Sequence, residues 1–176
     1  MVYKNALNFE KKYTMLSIRK AIVEDVPAIM EIYNEAIINT TATFDKEPKS
    51  LHNRMEWFEN RDDNFPVFVA QRGGLITGYA ALNKWSERKA YDVTAEISLY
   101  ILPDFRNSGI GKQLLEVILA EAQNTELVSI LARITEGNEH SIYLHTKNGF
   151  RVVGVMKSVG VKFDKLLDVT LLQKLL

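Results

Sequence analysis

Apolar residues recur at two different spacings along the chain, and the changes of spacing divide it into short elements. A period near 3.6 predicts three amphipathic helices. Asp25 as N-cap and Pro27 in the first turn signal the start of the first helix. The second lies within residues 49–61. The buried faces expected for the three are Ile29, Ile32, Tyr33, Ala36 and Ile37; Leu51, Met55, Trp57 and Phe58; and Ile110, Leu114, Leu115, Ile118, Leu119 and Ala122.

Runs rich in β-branched and aromatic residues predict seven strands. The run over 65–85 is split by Arg72-Gly73-Gly74, which indicates a hairpin. A short helix over 138–147 ends at Asn148-Gly149, a typical C-terminal cap. The other five strands fall within 16–21, 94–102, 127–134, 150–163 and 167–176. The expected order is therefore β-α-α-β-β-β-α-β-α-β-β.

This order predicts one α+β domain over residues 15–176, built on a mixed α/β sheet. Antiparallel strands lead, and a single β-α-β crossover lies in the middle. Strands and helices do not alternate regularly, which excludes a doubly wound sheet. Residues 1–14 are mixed and charged, and we expect a loosely ordered extension or a consequence of start-codon choice.

Charge and composition exclude several functional classes. Lys and Arg total 22 and so do Asp and Glu, so no excess charge favours nucleic acid or an anionic membrane. Cys is absent and the three His are scattered, so we expect no metal. No apolar run approaches the roughly 20 residues of a membrane span. The beginning lacks the apolar core of a secretory signal, and we expect a cytoplasmic protein.

A glycine turn over 106–112 separates a strand from a helix. A Walker loop would need Gly at position 106 and Ser or Thr at 113, where Arg106 and Gln113 stand. A dinucleotide fingerprint would need Gly at 114, which is Leu114. The pattern Arg/Gln-x-x-Gly-x-Gly/Ala fits, and a helix start of this kind suits a pyrophosphate. Ser108 is a candidate N-cap, and a plain helix start is the alternative at this point.

The neighbouring segments narrow this choice. The chain reads EIYNEAI, TTATFD, WFENR, PVFVA, GYAAL, RKAYDVTAEISLYI, RNSGIGKQLL, NEHSIYLHTKNGF, VGVKF and LDVTLLQ in order, from about residue 18 to its end. This series resembles the GNAT superfamily of acetyl-CoA-dependent N-acetyltransferases, and within it the phosphinothricin N-acetyltransferase-like branch. The resemblance implies the GNAT fold, with a mostly antiparallel twisted sheet flanked by helices, and a homodimer.

The resemblance also implies direct transfer of an acetyl group from acetyl-CoA to a primary amine. In this superfamily the strand before the glycine turn splays from its neighbour and leaves its backbone free for the pantetheine arm and the acetyl oxygen. Carried onto this sequence, the cofactor-binding residues are Leu99, Tyr100, Ile101, Arg106, Asn107, Ser108, Gly109, Ile110, Gly111, Lys112, Asn138 and Ser141.

Two side chains are candidates for catalysis. Glu96 lies mid-strand in TAEISLY, and alternation places it on one face with Thr94, Ser98 and Tyr100. It would take a proton from the substrate ammonium, directly or through water; the alternative is a solvated strand Glu. His145 shares a helix face with Asn138 and Ser141, and would donate to the leaving thiolate, act as the base instead, or only pack on the cofactor. Tyr143 is expected in the core.

The amine substrate is less defined by the sequence. In this branch the regions TTATF and SERKAY bind it, which suggests Arg88 for a substrate carboxylate and Phe44 and Tyr91 as walls. A charged turn and core packing are the alternatives for these three residues. Residues 163–168 read FDKLLD where the branch has Phe-Gly-x-Trp-Leu-Asp, a difference that argues against phosphinothricin itself.

The expected function is acetyl transfer to a small amino acid or analogue of the phosphinothricin or methionine sulfoximine type. The alternatives are another amine, namely a polyamine, an aminoglycoside or a protein N-terminus, and a non-catalytic acetyl-CoA-binding module.

Overall fold

The computed structural model describes residues 15–176, and the predicted extension over 1–14 lies outside the described residues. Seven strands form one sheet in the order β1-β2-β3-β4-β5-β7-β6. The strands are β1 Leu16–Lys20, β2 Val67–Arg72, β3 Leu75–Lys84, β4 Thr94–Ile101, β5 Ser129–Thr135, β6 Arg151–Lys162 and β7 Lys165–Leu175.

Four α-helices connect these strands. They are α1 Val26–Asn39, α2 Leu51–Glu59, α3 Ile110–Ala122 and α4 Glu139–Lys147. The observed order of helices and strands is β-α-α-β-β-β-α-β-α-β-β, which confirms the predicted order. Within residues 15–176, no helix combines the length and apolar character needed to cross a membrane.

The sheet is mixed and mostly antiparallel, as expected. β4 and β5 run parallel and are joined through α3, which is the predicted β-α-β crossover. Every other neighbouring pair of strands is antiparallel. A crossover of this kind carries the chain over one face of the sheet and returns it to the neighbouring strand.

Helices cover both faces of the sheet. The stripe predicted for α3 is buried along its whole length and packs into a large cluster with residues of β2 to β5. On the opposite face, Ile29 and Ile32 of α1 pack with Val69, Ile76 and Tyr79, and Trp57 of α2 closes this second cluster. The cleft described below opens between β4 and β5, which pair at only three positions.

The β6–β7 hairpin has a left-handed turn and, beside the cleft, a bulge. Phe163 and Asp164 form its turn with φ of 51° and 59°. Further along, a bulge between Met156 and Gly160 lies opposite Asp168, whose carboxylate accepts from the Ser158 N–H at 2.8 Å. The hydrogen bond from Lys157 Nζ, at 2.6 Å, holds the pKa of Asp168 below its usual value. These bonds fix the bulge beside the cleft.

Candidate active site

The parallel strands β4 and β5 separate after only three paired positions. Thr94, Ala95 and Glu96 pair with residues 129–131, whereas β4 continues to Ile101 alongside β3 alone. β5 likewise continues alongside β7 only. Alternate N–H and C=O groups of a strand point to each side, so the edge of β4 beyond Glu96 offers free hydrogen-bonding groups. The splay implied by the resemblance is therefore present in this fold.

The separation opens a cleft of about 550 Å³. Its walls come from both parted strands, from the α1–α2 connection and from α2, α4, β6 and β7. The lining includes Tyr33, Thr43, Phe44, Arg54, Trp57, Tyr79, Asn83, Glu96, Ser98, Leu99, Tyr100, Arg133, Thr135, Asn138, Ser141, His145, Met156 and Val159. Strand alternation correctly placed Glu96, Ser98 and Tyr100 together on this face.

Glu96 lies at the point where the strands part and is held by Arg133. Arg133 Nε and Nη2 each donate to one carboxylate oxygen of Glu96 at 2.6 Å. The Glu96 side chain is 18% exposed and that of Arg133 is 51% exposed. The hydrogen bond with Glu96 raises the pKa of Arg133. Arg133 was not predicted, but it lies two residues beyond Leu131, the register partner of Glu96, and so shares its face.

Asn83 links the strands of the cleft floor to α2. Its side-chain amide donates to Ser98 Oγ at 3.1 Å, and its Oδ1 accepts from Trp57 Nε1 at 3.2 Å. Arg61 Nη1 donates to the same oxygen at 3.2 Å. Asn83 pairs with Glu96 in the β3–β4 register, so the network fixes the strand that carries the carboxylate. Nothing local in the sequence indicates this network, because its members come from three elements.

His145 is buried in the wall of the cleft, 4% exposed. Its Nδ1 lies 2.8 Å from the Ser141 carbonyl oxygen, which only accepts, so Nδ1 carries the hydrogen. The ring packs edge-on against Phe150 at 5.0 Å between centroids. Burial lowers the pKa of His145, so at neutral pH the ring is neutral and Nε2 has a lone pair. This state suits accepting a proton better than donating one to a thiolate.

The start of α4 places the other two predicted residues beside His145. Asn138 is the N-cap, and its Oδ1 accepts from the Ser141 N–H at 3.3 Å. Asn138, Ser141 and His145 all line the cleft, so the face predicted from their spacing is correct. The expectation for Tyr143 is wrong. That side chain is 61% exposed, because its position in the helix turns it to solvent beside Lys147.

The glycine turn leaves the first N–H groups of α3 unpaired. Gly109 is the N-cap residue with φ of 81°, in the left-handed region, and no side chain of the described residues 15–176 caps the helix. The first helical bond is donated by Gln113 to the Gly109 carbonyl at 3.2 Å, so the N–H groups of Ile110, Gly111 and Lys112 have no acceptor within the helix. The proposed N-cap role of Ser108 is wrong: its Oγ donates to the Phe105 carbonyl at 2.5 Å.

In this structure the side chain of Arg106 in the turn is bonded within the protein. Arg106 donates from Nε to the Ile101 carbonyl at 3.1 Å and from Nη2 to Glu35 at 3.0 Å. A Cβ on Gly111 would lie 3.1 Å from Ile101 Cδ1, so this glycine allows α3 to approach β4. Lys112 is exposed. Asn107, with φ of 57°, also adopts the left-handed region.

The substrate residues suggested by the sequence are only partly brought together. Phe44 lines the cleft, and its ring covers Gly160, where a Cβ would overlap it. Arg88 and Tyr91 lie exposed in the β3–β4 connection and are absent from the cleft lining. The connection that carries Phe44 is fixed by Thr135 Oγ1 and Lys162 Nζ, which each donate at 2.7 Å to carbonyls of residues 41 and 43.

A separated pair of parallel strands, followed by an uncapped helix start and faced by a carboxylate and an imidazole, is the arrangement of an acyltransferase that binds a coenzyme A thioester. Residues 27–150 match the model of the acetyltransferase (GNAT) family. The chain belongs to this family and is an N-acetyltransferase.

Three known proteins show how far the similarity extends. An L-methionine sulfoximine/L-methionine sulfone acetyltransferase of Pseudomonas aeruginosa is 40% identical over 159 residues, 89% of this chain and 92% of that protein. A phosphinothricin N-acetyltransferase of Alcaligenes faecalis is 35% identical over 153 residues, 86% and 78% of the two chains. The structure of yncA from Salmonella typhimurium with its cofactor acetyl-CoA has a TM-score of 0.89 and 36% identity, covering 92% and 94%.

Proposed function

We propose that this protein transfers the acetyl group of acetyl-CoA to the α-amino group of a small amino acid analogue of the methionine sulfoximine, methionine sulfone or phosphinothricin type. The observation that carries the proposal is the cleft between the parted strands, with Glu96 at its apex and His145 in its wall. The names of the relatives at 40% and 35% identity support the class of substrate.

The residues of this chain fit acetyl-CoA through their backbone. The free edge of β4 at Leu99–Ile101 would bind the pantetheine arm and the thioester oxygen, and Asn138 and Ser141 would flank that arm. The N–H groups that begin α3 would receive the pyrophosphate, and Gly109 leaves the approach open because a Cβ there would meet nothing within 4 Å. When bound, acetyl-CoA would supply an activated acetyl group. The carbon–sulfur bond would break and coenzyme A would leave as its thiol; of the two protons lost by the ammonium, one would end on that thiol and the other on the base.

Glu96 accepts the proton that the amine must lose. Arg133 occupies one lone pair on each of its oxygens, and a carboxylate has about four such sites, so acceptor capacity remains for an ammonium group or a bridging water. Arg133 also fixes the carboxylate in position, and a carboxylate held in position is a more effective catalyst than a mobile one.

His145 is the second proton acceptor available in the cleft. The neutral ring, with Nδ1–H bonded to the Ser141 carbonyl, presents Nε2 only as an acceptor. A role for His145 as base therefore fits this geometry, and comparing pH–rate profiles of Glu96→Gln and His145→Gln assigns the base. The variant that removes the base loses the acidic limb of the profile.

The charges of the cleft favour an amine that also carries an anionic group. Its charged lining residues within 15–176 are Arg54, Glu96 and Arg133, and Glu96 is already paired with Arg133. One uncompensated positive charge remains, because burial keeps His145 neutral. A polyamine or aminoglycoside would meet repulsion here, whereas a zwitterionic amino acid would not.

We also propose a cytoplasmic homodimer. The edge strand β6 supports the dimer, because it exposes Val152, Val153, Val155, Val159 and Val161 beside an unpaired strand edge. Light scattering on the purified protein tests the oligomeric state. The absence of Cys is compatible with a reducing compartment.

Release of coenzyme A thiol tests the proposed function. The protein is incubated with acetyl-CoA and, in parallel, with methionine sulfone, methionine sulfoximine, phosphinothricin, spermidine, an aminoglycoside and a peptide with a free N-terminus. We expect release with at least one of the three amino acids and a kcat/KM at least tenfold higher than with any other amine. Turnover of spermidine or the peptide alone would overturn the amino acid assignment. Cofactor binding without turnover of any amine would indicate a binding module.

A further inference from the structure

The most deeply buried side chain of α2 is an arginine. The helix was expected to bury Leu51, Met55, Trp57 and Phe58, yet Arg54 is its one buried residue and is 7% exposed. Arg54 also lines the cleft between the parted strands. A cation in this position loses most of its hydration, and such a loss is unfavourable unless a partner replaces the water.

The part of the chain that the structure describes supplies Arg54 with no anionic partner. Its Nε is buried and has no hydrogen-bond acceptor. No ion pair within residues 15–176 includes it. Asp45, the nearest carboxylate by its electrostatic effect, accepts instead from Tyr33 at 2.8 Å and pairs with Lys49 at 3.0 Å.

Arg61 provides an internal comparison, since it packs on the same indole. The guanidinium of Arg54 lies 3.7 Å from the Trp57 ring centroid and that of Arg61 lies 4.4 Å from it. Arg61 donates to the carbonyls of Phe65 and Leu82 and to Asn83, so the protein satisfies it. Burial lowers the pKa of both arginines, yet among residues 15–176 only Arg61 has acceptors for its hydrogens.

Aromatic rings hold Arg54 in place without neutralising it. The Tyr33 ring centroid lies 5.0 Å from the guanidinium, in addition to the Trp57 ring at 3.7 Å. Tyr79 and Tyr100 line the same part of the cleft, and burial raises the pKa of both phenols, so they remain uncharged. A guanidinium fixed by stacking and free of protein acceptors is prepared to receive a planar anion with two oxygens.

We propose that Arg54 binds the carboxylate of the amino acid substrate and selects zwitterionic amines over amines that lack an anionic group. The substrate would then lie with its amine toward Glu96, directly or through a water molecule, and its carboxylate toward Arg54. This assigns to Arg54 the role that the sequence suggested for Arg88, which is exposed outside the cleft. The inference rests on the proposed function.

The test compares two substrates that differ only in the anion, L-methionine sulfone and its carboxamide. For each protein the ratio of the two kcat/KM values is measured in the same sample, so a reduced folded fraction cancels. We expect wild type to prefer the acid, and Arg54→Gln to lower that ratio by about 10- to 150-fold, the range for a charge-assisted hydrogen-bonded contact. Arg54→Lys, which keeps the charge but not the fork, should lie between them.

Arg61→Lys is the matched control, because it alters the other guanidinium on Trp57. We expect it to change the rates on both substrates by the same factor. A ratio in Arg54→Gln within threefold of wild type would overturn the role of Arg54 while leaving the amino acid assignment intact. Wild type that acetylates other amines but neither methionine sulfone nor any amino acid would overturn both proposals. The second readout uses 4-(methylsulfonyl)butanoate, which lacks the amine and cannot be acetylated. This compound should inhibit the acetylation of methionine sulfone competitively in wild type and not in Arg54→Gln.

Discussion

Arg133 holds both oxygens of Glu96 across the gap where β4 and β5 part. The two hydrogen bonds, each 2.6 Å long, lie just beyond Glu96 and Leu131, the last backbone pair of the two strands. The pair therefore continues the link between the strands by side chains where the backbone link ends. The same contact directs the Glu96 carboxylate into the cleft. It also limits how far the gap between β4 and β5 extends toward Glu96.

Replacing Glu96 with Gln should slow acetyl transfer without weakening the binding of acetyl-CoA. The amide cannot accept the proton of the ammonium group, and loss of a general base typically costs 10²- to 10⁴-fold in rate. The affinity for acetyl-CoA should stay within about threefold, since the proposed cofactor contacts come from backbone further along β4 and at α3. Steady-state thiol release and a binding titration measure the two effects.

Glu121→Gln makes the same chemical change in the Lys20–Glu121 ion pair, outside the cleft, and should leave both the rate and the acetyl-CoA affinity unchanged.

Replacing Arg133 with Gln should also lower the rate. Combining it with Glu96→Gln should lower the rate no further than Glu96→Gln alone, because the two residues act as one unit. Independent, additive losses would mean that Arg133 acts on the substrate and not through Glu96.

Replacing Gly109 with Val should weaken acetyl-CoA binding by at least about tenfold. The φ of 81° is strained for a β-branched residue, and the added side chain would project into the open approach to the first N–H groups of α3. Gly74→Val is the matched control: its φ is 78° and a Cβ there also meets nothing within 4 Å, but it lies in the β2–β3 turn. An equal loss of acetyl-CoA affinity in both variants would show that backbone strain alone causes the effect.

The burial of His145 should make folding sensitive to pH. Burial lowers the pKa of His145 in the folded state, below the 6.5 of an unperturbed imidazole. Above pH 6.5 neither state binds the proton. As the pH falls from 6.5 toward the folded pKa, only the unfolded chain binds it, so stability falls by up to about 1.4 kcal/mol per pH unit. Urea unfolding at several pH values should show this slope in wild type and a smaller one in His145→Gln; equal slopes would refute it.

The β6–β7 turn should tolerate glycine better than its own residue. Asp164 has φ of 59°, in the left-handed region that favours glycine. Relief of left-handed strain is worth about 1 kcal/mol, or roughly 2–4 °C in Tm for a chain of this size. Asp164→Gly should raise Tm by that amount and Asp164→Ala should not, as scanning calorimetry would show. A rise with both variants would point to the lost charge rather than to the backbone.

The order of elements was predictable because it depends on local periodicity. The buried stripe of α3 and the cap at Asn148-Gly149 follow from residues that lie close in sequence. The pairing of Glu96 with Arg133 was not predictable in this way, because it needs the register of two strands joined through α3. Arg54 was missed for a related reason. Polar residues of a short helix are expected at the surface, and only the rings of Trp57 and Tyr33, brought from two helices, make its burial possible.

Hydrogen–deuterium exchange with and without acetyl-CoA tests most directly whether the gap between β4 and β5 is the acetyl transfer site. We expect slower exchange in peptides covering 97–101 and 107–113, and no change in the β2–β3 turn at Gly73 and Gly74. Binding of acetyl-CoA with unchanged exchange in both peptides, or with protection confined to other segments, would contradict the placement of the reaction in this cleft.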